Sequence, residues 1–287
     1  MVCQPGRFLL SYKGYHPAIF ENNPYIVEMG DHEGQLVDTD YGYGLSGFNR
    51  DGRYMGGAGR PYHFIHAFVE DLSKKLGVYI ELQDFRPDLY LSDAEREPWP
   101  GLPEHYVYLN CGRKADFTAK LYSTHRFQQM VNALHKEIAF VQVGAANDFH
   151  PVLENTINLV GQTNLRQTMQ IMHRATAVVT ANSFPMHLAA GVPTPTGALR
   201  PCIVLAGQRE QAQWCRYPGH TLLGTDGRLK KCPVLPAMAC WRNKVVKVDS
   251  DNSVCWAPMA DEVGQPIPEC LHRVSADDLI RAVRAWL

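Results

Sequence analysis

The stretch 178-VVTANSFPMHLAAGVP-193 decides the fold. It runs an apolar strand into the helical segment "PMHLAA", with Asn182, Ser183, Phe184 and Pro185 at the junction. Asn182 and Ser183 are residue types whose side-chain oxygens accept the orphan N–H groups of a first helical turn. Pro185 suits that turn, where no intrahelical N–H bond is needed. A strand feeding a helix N-terminus is also a ready anion site, because free N–H groups and the positive end of the helix dipole point outward together.

Outward from this junction the alternation repeats. "HYVYLNCG" and "IAFVQVGA" read as strands, "INLVGQ" as a short one and "PCIVLAG" as another. Between them lie a helix from about Thr124 and the segment "NLRQTMQIMHRA", whose Leu165, Met169 and Met172 share one helical face. Strands alternating with helices predict an α/β chain with a parallel sheet covered on both faces. In such sheets ligands bind beyond the carboxyl ends of the strands, which is where "NSFPMH" falls. "SADDLIRAVRAWL" closes the chain as a helix capped by Ser275, with Asp278 three residues on. Before residue 104 the pattern differs. "YHFIHAFVEDLSKKLG" is a helix ended by Gly77, "VYIEL" a short strand and "RPDLYLSDAEREPWPGLP" a Pro-rich linker. "DYGYGLSGFNRDGRYMGGAGRP" is turn chemistry, a long loop over a surface or cleft.

The 287 residues are 45% hydrophobic and 20% charged, with net charge −1. That length holds one large or two ordinary domains. The balanced charge gives no field that favours nucleic acid or an anionic membrane. No apolar run approaches the roughly 18 residues of a membrane helix, and the first residues make a poor signal peptide. A cytoplasmic chain without a membrane span is expected. Of eight cysteines, Cys215, Cys232, Cys240, Cys255 and Cys270 crowd into the last quarter. In a reducing compartment such clustering points to metal more than to disulfide.

Four constellations carry chemistry. The junction at 182–187 is an anion site or, equally, a plain capped helix, in which His187 is a core histidine. "CGRKADFTAKLYS" at 111–123 sets Arg113, Lys114 and Lys120 beside Thr118 after a strand end. A diphosphate needs such charge and a hydroxyl donor, although a solvated basic loop has the same composition. "GAANDFHPVLEN" at 144–155 offers Asn147, Asp148 and His150 to a ribose or base edge, or forms a polar turn. Cys232-x7-Cys240-x14-Cys255-x14-Cys270 supplies four thiolates for a tetrahedral zinc or iron site, with Cys215 as a spare; buried thiols are the alternative. There is no G-x-S-x-G, Walker loop, H-E-x-x-H or G-x-G-x-x-G after a strand, which argues against the common hydrolase, kinase and dehydrogenase readings.

Taken in order, these motifs resemble glycosyltransferase family 9, the ADP-heptose heptosyltransferases. Leu159, Gly161, Thr163 and Leu165 match the family's L-x-G-x-T-x-L segment. Ser183, Pro185, Met186, His187, Leu188, Ala189 and Ala190 match its D-S-G-P-M-H-L-A-A segment, and Lys120 its donor-phosphate lysine. The tail, with "CPVLPAMACW", Cys255 and "IPEC", resembles members with a Cys-bound metal finger, such as the autotransporter heptosyltransferases. The resemblance implies a GT-B-like fold: a Rossmann-like sugar-nucleotide domain at 104–287, including a Cys finger at 215–270, and an incomplete acceptor-side domain at 1–103. It implies donor contacts from Lys114, Thr118, Lys120, Asn147, His150, Asn182, Ser183, Met186 and His187. It implies a structural iron or zinc on Cys232, Cys240, Cys255 and Cys270, and transfer chemistry without a catalytic metal. The partners implied are an ADP-sugar, a glycan or protein acceptor and possible further copies of the chain.

Two departures stand out. Asn182 and Phe184 replace the family's Asp and Gly, and the G-x-G-D loop that carries its base has no counterpart, so the chain reads as starting partway through the acceptor domain. Asp40 and Asp51 are the loose candidates for a base. The alternatives are a non-catalytic sugar-nucleotide-binding or scaffold relative, and a metal-stapled α/β protein of unrelated chemistry.

Overall fold

The computed structural model describes residues 8–11, 16–24, 35–38, 63–112, 120–210, 212–225, 227, 229–233, 240 and 255–287. The elements, in chain order, begin with β1 (Phe8–Ser11), β2 (Gln35–Asp38), α1 (Phe64–Leu76), α2 (Asp93–Arg96) and β3 (Tyr106–Asn110). They continue with α3 (Thr124–Leu134), β4 (Ala139–Gln142), β5 (Ile157–Asn158), α4 (Leu165–Arg174), β6 (Ala177–Ala181) and α5 (Phe184–Gly191). The last are β7 (Cys202–Leu205), α6 (Ala212–Cys215), β8 (His220–Leu223), β9 (Pro258–Ala260), β10 (Pro266–Pro268), α7 (Glu269–His272) and α8 (Ala276–Arg284).

Six strands form one sheet in the order β5-β4-β3-β6-β7-β8, and every pairing in it is parallel. β7 (CIVL) is buried along its length and β6 (AVVTA) at all but its last residue, as continuous apolar runs require when helices cover both faces of a sheet. The chain leaves β3 for β4 and β5 on one side, then returns to build β6, β7 and β8 on the other. Strand order therefore reverses between β3 and β6, and a reversal of this kind opens a crevice at the carboxyl ends of the two strands. The expected α/β parallel sheet is present, with the Rossmann-like order.

Local signals explain the helices. Ser123, Asn164 and Ser275 each accept an N–H of the helix they precede, and α4 and α8 close full capping boxes with Gln167 and Asp278. α1 ends on Gly77 at φ 66°, a left-handed position that glycine takes without a Cβ penalty. One face of the sheet packs on Phe127, Met130 and Leu134 of α3 with Leu279 and Val283 of α8. The other packs on Met169 and Met172 of α4 with Met186 and Leu188 of α5.

Two expectations are corrected. Residues 78–82 form no strand. The Pro-rich 86–103 segment is no free linker: Leu91 is buried in the α4–α5 layer, with Leu89, Trp99 and Leu102 against it. Its spacing of apolar residues among prolines is that of an extended strap, a pattern with no helical or strand period to read. Arg166 of α4 fastens the strap, through Glu95 at 2.7 and 2.5 Å and the Tyr90 carbonyl at 2.7 Å. The same guanidinium donates to the Ala18 carbonyl at 3.0 Å.

The tail after β8 docks under α3. Arg126 donates to the carbonyls of His272 and Val274 and pairs with Glu262 in the β9–β10 turn. Tyr122 Oη donates to the Val274 carbonyl at 2.9 Å. Among the described residues no helix is long and apolar enough to cross a membrane.

Candidate functional site

Lys120 follows β3, and Asn182 and Ser183 follow β6, so both segments arrive at the switch point. Lys120 Nζ donates to the Asn182 carbonyl at 2.7 Å and pairs with Glu210 Oε1 at 3.0 Å. Asn182 Nδ2 donates to Glu210 Oε2 at 2.7 Å and to Cys215 Sγ at 3.4 Å. Glu210 follows β7, and the guanidinium of its neighbour Arg209 pairs with the same carboxylate. Burial pushes the Lys120 ammonium well below its ordinary pKa, and repulsion from Arg209 adds to this. Lys120, Arg209 and Glu210 thus meet at the carboxyl ends of β3, β6 and β7.

Lys120, resting on the Asn182 carbonyl, stands beside the N-terminus of α5. Ser183 is the N-cap there but makes no side-chain cap bond; its hydroxyl donates back to the Ala181 carbonyl at 3.3 Å. The capping expected of Asn182 and Ser183 is therefore not made, because the Asn182 side chain is committed to Glu210. The first turn of α5 has no side-chain cap, unlike α3, α4 and α8; Pro185 has no N–H, and the Met186 N–H donates to the Ser183 carbonyl at 3.0 Å. Phe184 stands at the mouth, 46% exposed.

The other expected donor residues divide. Met186 is fully buried in the α4–α5 layer, whereas His187 is half-buried and its ring feels the Lys120 charge. His187 Nδ1 lies 2.9 Å from Tyr217 Oη, and its ring meets Phe64 edge-on at 5.4 Å. Two positions after Phe184, a helical side chain points to the opposite side of the helix, which is the sheet. His150 is wedged between strand ends: a Cβ at Gly112 or Gly144 would fall 2.2 or 2.0 Å from its ring. Both its ring nitrogens are buried without a hydrogen-bond partner, and burial lowers its pKa. Asn147 is exposed on the same turn. A cavity of about 260 Å³ lined by Cys111, Leu121, Thr124, Phe149 and Gln265 opens beside it. Lys114, Thr118, Asp40 and Asp51 lie outside the described residues. Arg209 and Glu210 were missed in the sequence, although charged residues directly after the apolar run "PCIVLAG" mark a strand end where ligands bind.

Cys232, Cys240, Cys255 and Cys270 line one void of about 20 Å³, with Gln208, Arg209 and Glu269 in its wall. That volume holds roughly one atom. Cys215 is elsewhere, beside Asn182. Glu269 pins the approach of Cys232, its carboxylate accepting N–H bonds from Lys230, Lys231 and Cys232. Gly207, at φ +61°, lets the chain pass Cys270: a Cβ there would lie 2.8 Å from the sulfur. Burial pushes the Cys270 thiol up to about 12. Among the described residues no three His, Cys, Asp or Glu side chains are arranged to hold a metal ion, and no disulfide joins the seven described cysteines.

Behind α5, His63, His187 and His220 surround Tyr217. Burial lowers them to about 4, about 3 and about 4. An unfolded chain protonates these rings near 6.5, whereas the folded chain resists until its lower values. Their contribution is complete above pH 6.5 and is lost as pH falls below it, by roughly 1.4 kcal/mol per histidine at pH 5.5. We expect melting temperature to drop between pH 7.5 and 5.5, and the drop to shrink in His220→Phe. An equal drop in that variant would mean that other groups carry the effect.

Residues 62–199 match the family model described as Glycosyltransferase family 9 (heptosyltransferase). No curated protein matches the chain significantly. Among solved structures, the chain is similar to the iron-containing dodecameric glycosyltransferase TibC from enterotoxigenic E. coli H10407. That likeness has 10% identity and TM-score 0.55, and covers 91% of this chain and 61% of that one. E. coli ADP-heptose LPS heptosyltransferase II is 16% identical, with TM-score 0.47, covering 82% of this chain and 60% of that one. A family 9 glycosyl transferase from Veillonella parvula DSM 2008 is 16% identical, with TM-score 0.47, covering 57% and 49%. The chain spans 61%, 60% and 49% of the length of these three structures in turn, and the likeness to TibC is one of fold.

Proposed function

We propose that this chain, a member of glycosyltransferase family 9 through its residues 62–199, moves a heptose-like sugar from an ADP-sugar to a glycan or protein acceptor. One observation carries this: the Lys120 ammonium rests on the Asn182 carbonyl at the β3–β6 switch point, beside a helix N-terminus that no side chain caps. A diphosphate there meets Lys120 and the positive end of the α5 dipole. As the bond from sugar to diphosphate breaks, negative charge builds on the leaving oxygen, and Lys120 with the α5 N-terminus stabilises it. Ser183 offers a hydroxyl at the same place, and Lys114 and Thr118, shortly before Lys120 in the sequence, are further donor contacts in this reading. Asn147 and His150 border the nucleoside side. Residues 1–103 serve the acceptor side, where Asp40 and Asp51 are the candidate bases. Calorimetric titration of ADP, GDP and UDP tests the donor: ADP-selective binding supports it, and no binding of any of the three removes it.

Cys232, Cys240, Cys255 and Cys270 would hold a structural iron or zinc. The fit lies in the donor set: four cysteines, whose thiolates these ions favour, line one void of about 20 Å³. The ion would supply a cross-link to a stretch with few apolar runs. The purified protein should carry about one ion per chain, and Cys270→Ser should lose most of it and melt earlier. Unchanged metal content in that variant would overturn the assignment. Thiols of this kind suit a reducing cytoplasm, and self-association, as in the dodecameric TibC, is part of the proposal.

A further inference from the structure

We propose that the cysteine centre and the donor site are coupled through residues 207–210: Cys240 and Cys270 grip this loop from one side, and Glu210 at its end sets the position of Asn182 and Lys120 on the other. The inference rests on the diphosphate and metal readings given above and deepens them by joining the two sites. The loop leaves β7 with its start fixed, since the N–H groups of Ala206 and Gly207 both donate to the Leu223 carbonyl at the end of β8, at 3.1 Å each. Gly207 passes against Cys270, close enough that a Cβ there would lie 2.8 Å from the sulfur. The Gln208 carbonyl accepts the Cys240 N–H at 3.0 Å, and Gln208 Nε2 donates to the Gly227 carbonyl at 3.2 Å. Arg209 lines the cysteine void and pairs with the Glu210 carboxylate. Glu210 then takes the Asn182 amide on Oε2 at 2.7 Å and Lys120 on Oε1 at 3.0 Å.

The stretch from Gly207 to Glu210 spans at most about 11 Å, and every residue of the loop is buried. A close-packed segment of that length does not absorb a displacement locally; it passes it on. Cys240 holds Gln208 through one backbone bond, so Cys240 must itself be held for that bond to position anything. Four thiolates on one ion would hold it, tying Cys240 to Cys232, Cys255 and Cys270 from separate stretches of the chain. With the cysteines joined, the loop is clamped between Cys240 and Cys270. Glu210 then keeps Asn182 and Lys120 where the diphosphate meets them. With the cysteines apart, Gln208 loses its partner, Glu210 shifts, and Lys120 loses the fixed position that binding uses. Coupling of this kind is reciprocal: a diphosphate that steadies Lys120 and Glu210 tightens the hold on the ion by the same factor.

The test is calorimetric titration of ADP, with inorganic pyrophosphate as a second probe, into the full chain loaded with zinc and into the same chain stripped by a chelator. Circular dichroism checks that both forms are folded. The loaded chain should bind both probes about tenfold more tightly, and zinc affinity, read by competition with a coloured chelator, should rise by the same factor when ADP is saturating. Glu210→Gln cuts the link between the loop and Lys120 while leaving all four cysteines. It should take up zinc as the parent does, but its loaded and stripped forms should bind each probe within about twofold of one another. An ion that only keeps the chain folded would couple to ADP equally in parent and variant. A parental ratio in Glu210→Gln therefore overturns the inference, as does equal ADP binding by the folded loaded and stripped parent. If the stripped chain does not fold, the rise of zinc affinity with ADP, compared between parent and variant, decides in the same way. If Glu210→Gln binds too weakly to measure, Asn182→Ala, which removes the other side-chain link to Glu210, takes its place: its ratio should fall below the parental one, and an undiminished ratio overturns the inference. If the loaded parent binds neither probe, the diphosphate reading is removed. If the chain takes up neither zinc nor iron, the metal reading is removed, and the inference falls with either.

Discussion

Replacing Arg166 by alanine should cost about 3–5 kcal/mol of folding stability, the cost of breaking a buried, hydrogen-bonded ion pair from one side. Arg166 is 9% exposed and fixes two segments, the strap at 86–103 and the stretch around Ala18, onto α4. It donates to both oxygens of Glu95 and to the carbonyls of Tyr90 and Ala18. Alanine would leave those carbonyls and a carboxylate that is itself half-buried without their donors. Arg166→Lys should recover little, because one ammonium cannot reproduce the fork that meets both carboxylate oxygens and two carbonyls. The pair also has an acid limit. Hydrogen bonding to Arg166, first among several causes, holds Glu95 down at about 2. A carboxylate lowered in the folded state contributes fully above its unfolded value near 4.5 and loses that contribution as pH falls toward 2. Urea unfolding at pH 7 and pH 3.5 measures both effects: the gap between the parent and Arg166→Ala should narrow at the lower pH. A loss under about 1 kcal/mol at pH 7, the scale of an exposed pair, would mean that Leu89, Leu91 and Trp99 alone hold the strap.

Lys120→Ala should weaken ADP binding by about 1.5–3 kcal/mol, the scale of a hydrogen bond to a charged group, and should lower sugar transfer by a larger factor. The larger factor follows from where the charge develops. The diphosphate carries more charge on its leaving oxygen in the transition state than in the bound donor, and a cation fixed against the Asn182 carbonyl acts most strongly on that increment. In steady-state measurements kcat should therefore fall more than KM rises. Lys120→Arg should rescue binding partly and transfer poorly, since a planar fork cannot take the position of an ammonium held between Glu210 and a carbonyl. ADP affinity within twofold of the parent in Lys120→Ala would remove Lys120 from the donor site. A variant that binds ADP weakly while the parent transfers no sugar from any ADP-sugar would instead favour a donor-binding relative without activity.

Much of the fold was legible because its signals are local. The capping boxes at Asn164 and Ser275 lie within three residues of their partners. Gly77 ends α1 at the residue expected, and the apolar runs of β3, β4, β6 and β7 needed only their own composition. The strap at 86–103 was misjudged because what holds it is not local: its main anchor, Arg166, lies 71 residues from Glu95. Met186 and His187 were expected at the ligand because they sit in the right segment. The helix turns successive side chains by about 100°, and that rotation sends Met186, two positions on, into the core while leaving Phe184 outside.

By itself the sequence determined an alternating α/β chain, a strand-to-helix junction at 182–185 suited to an anion, a cation at Lys120 and four cysteines gathered late in the chain. Each of these follows from residue type and short-range spacing, and needs no knowledge of what lies across the sheet. Only the tertiary structure decided that Lys120 meets Asn182 across 62 residues, and that Glu210 meets Asn182 across 28. It also decided that four cysteines spread over 39 positions share one void with Arg209. Strand order makes these contacts. Six parallel strands bring their carboxyl ends to one edge of the sheet, and the reversal between β3 and β6 selects which of those ends become neighbours.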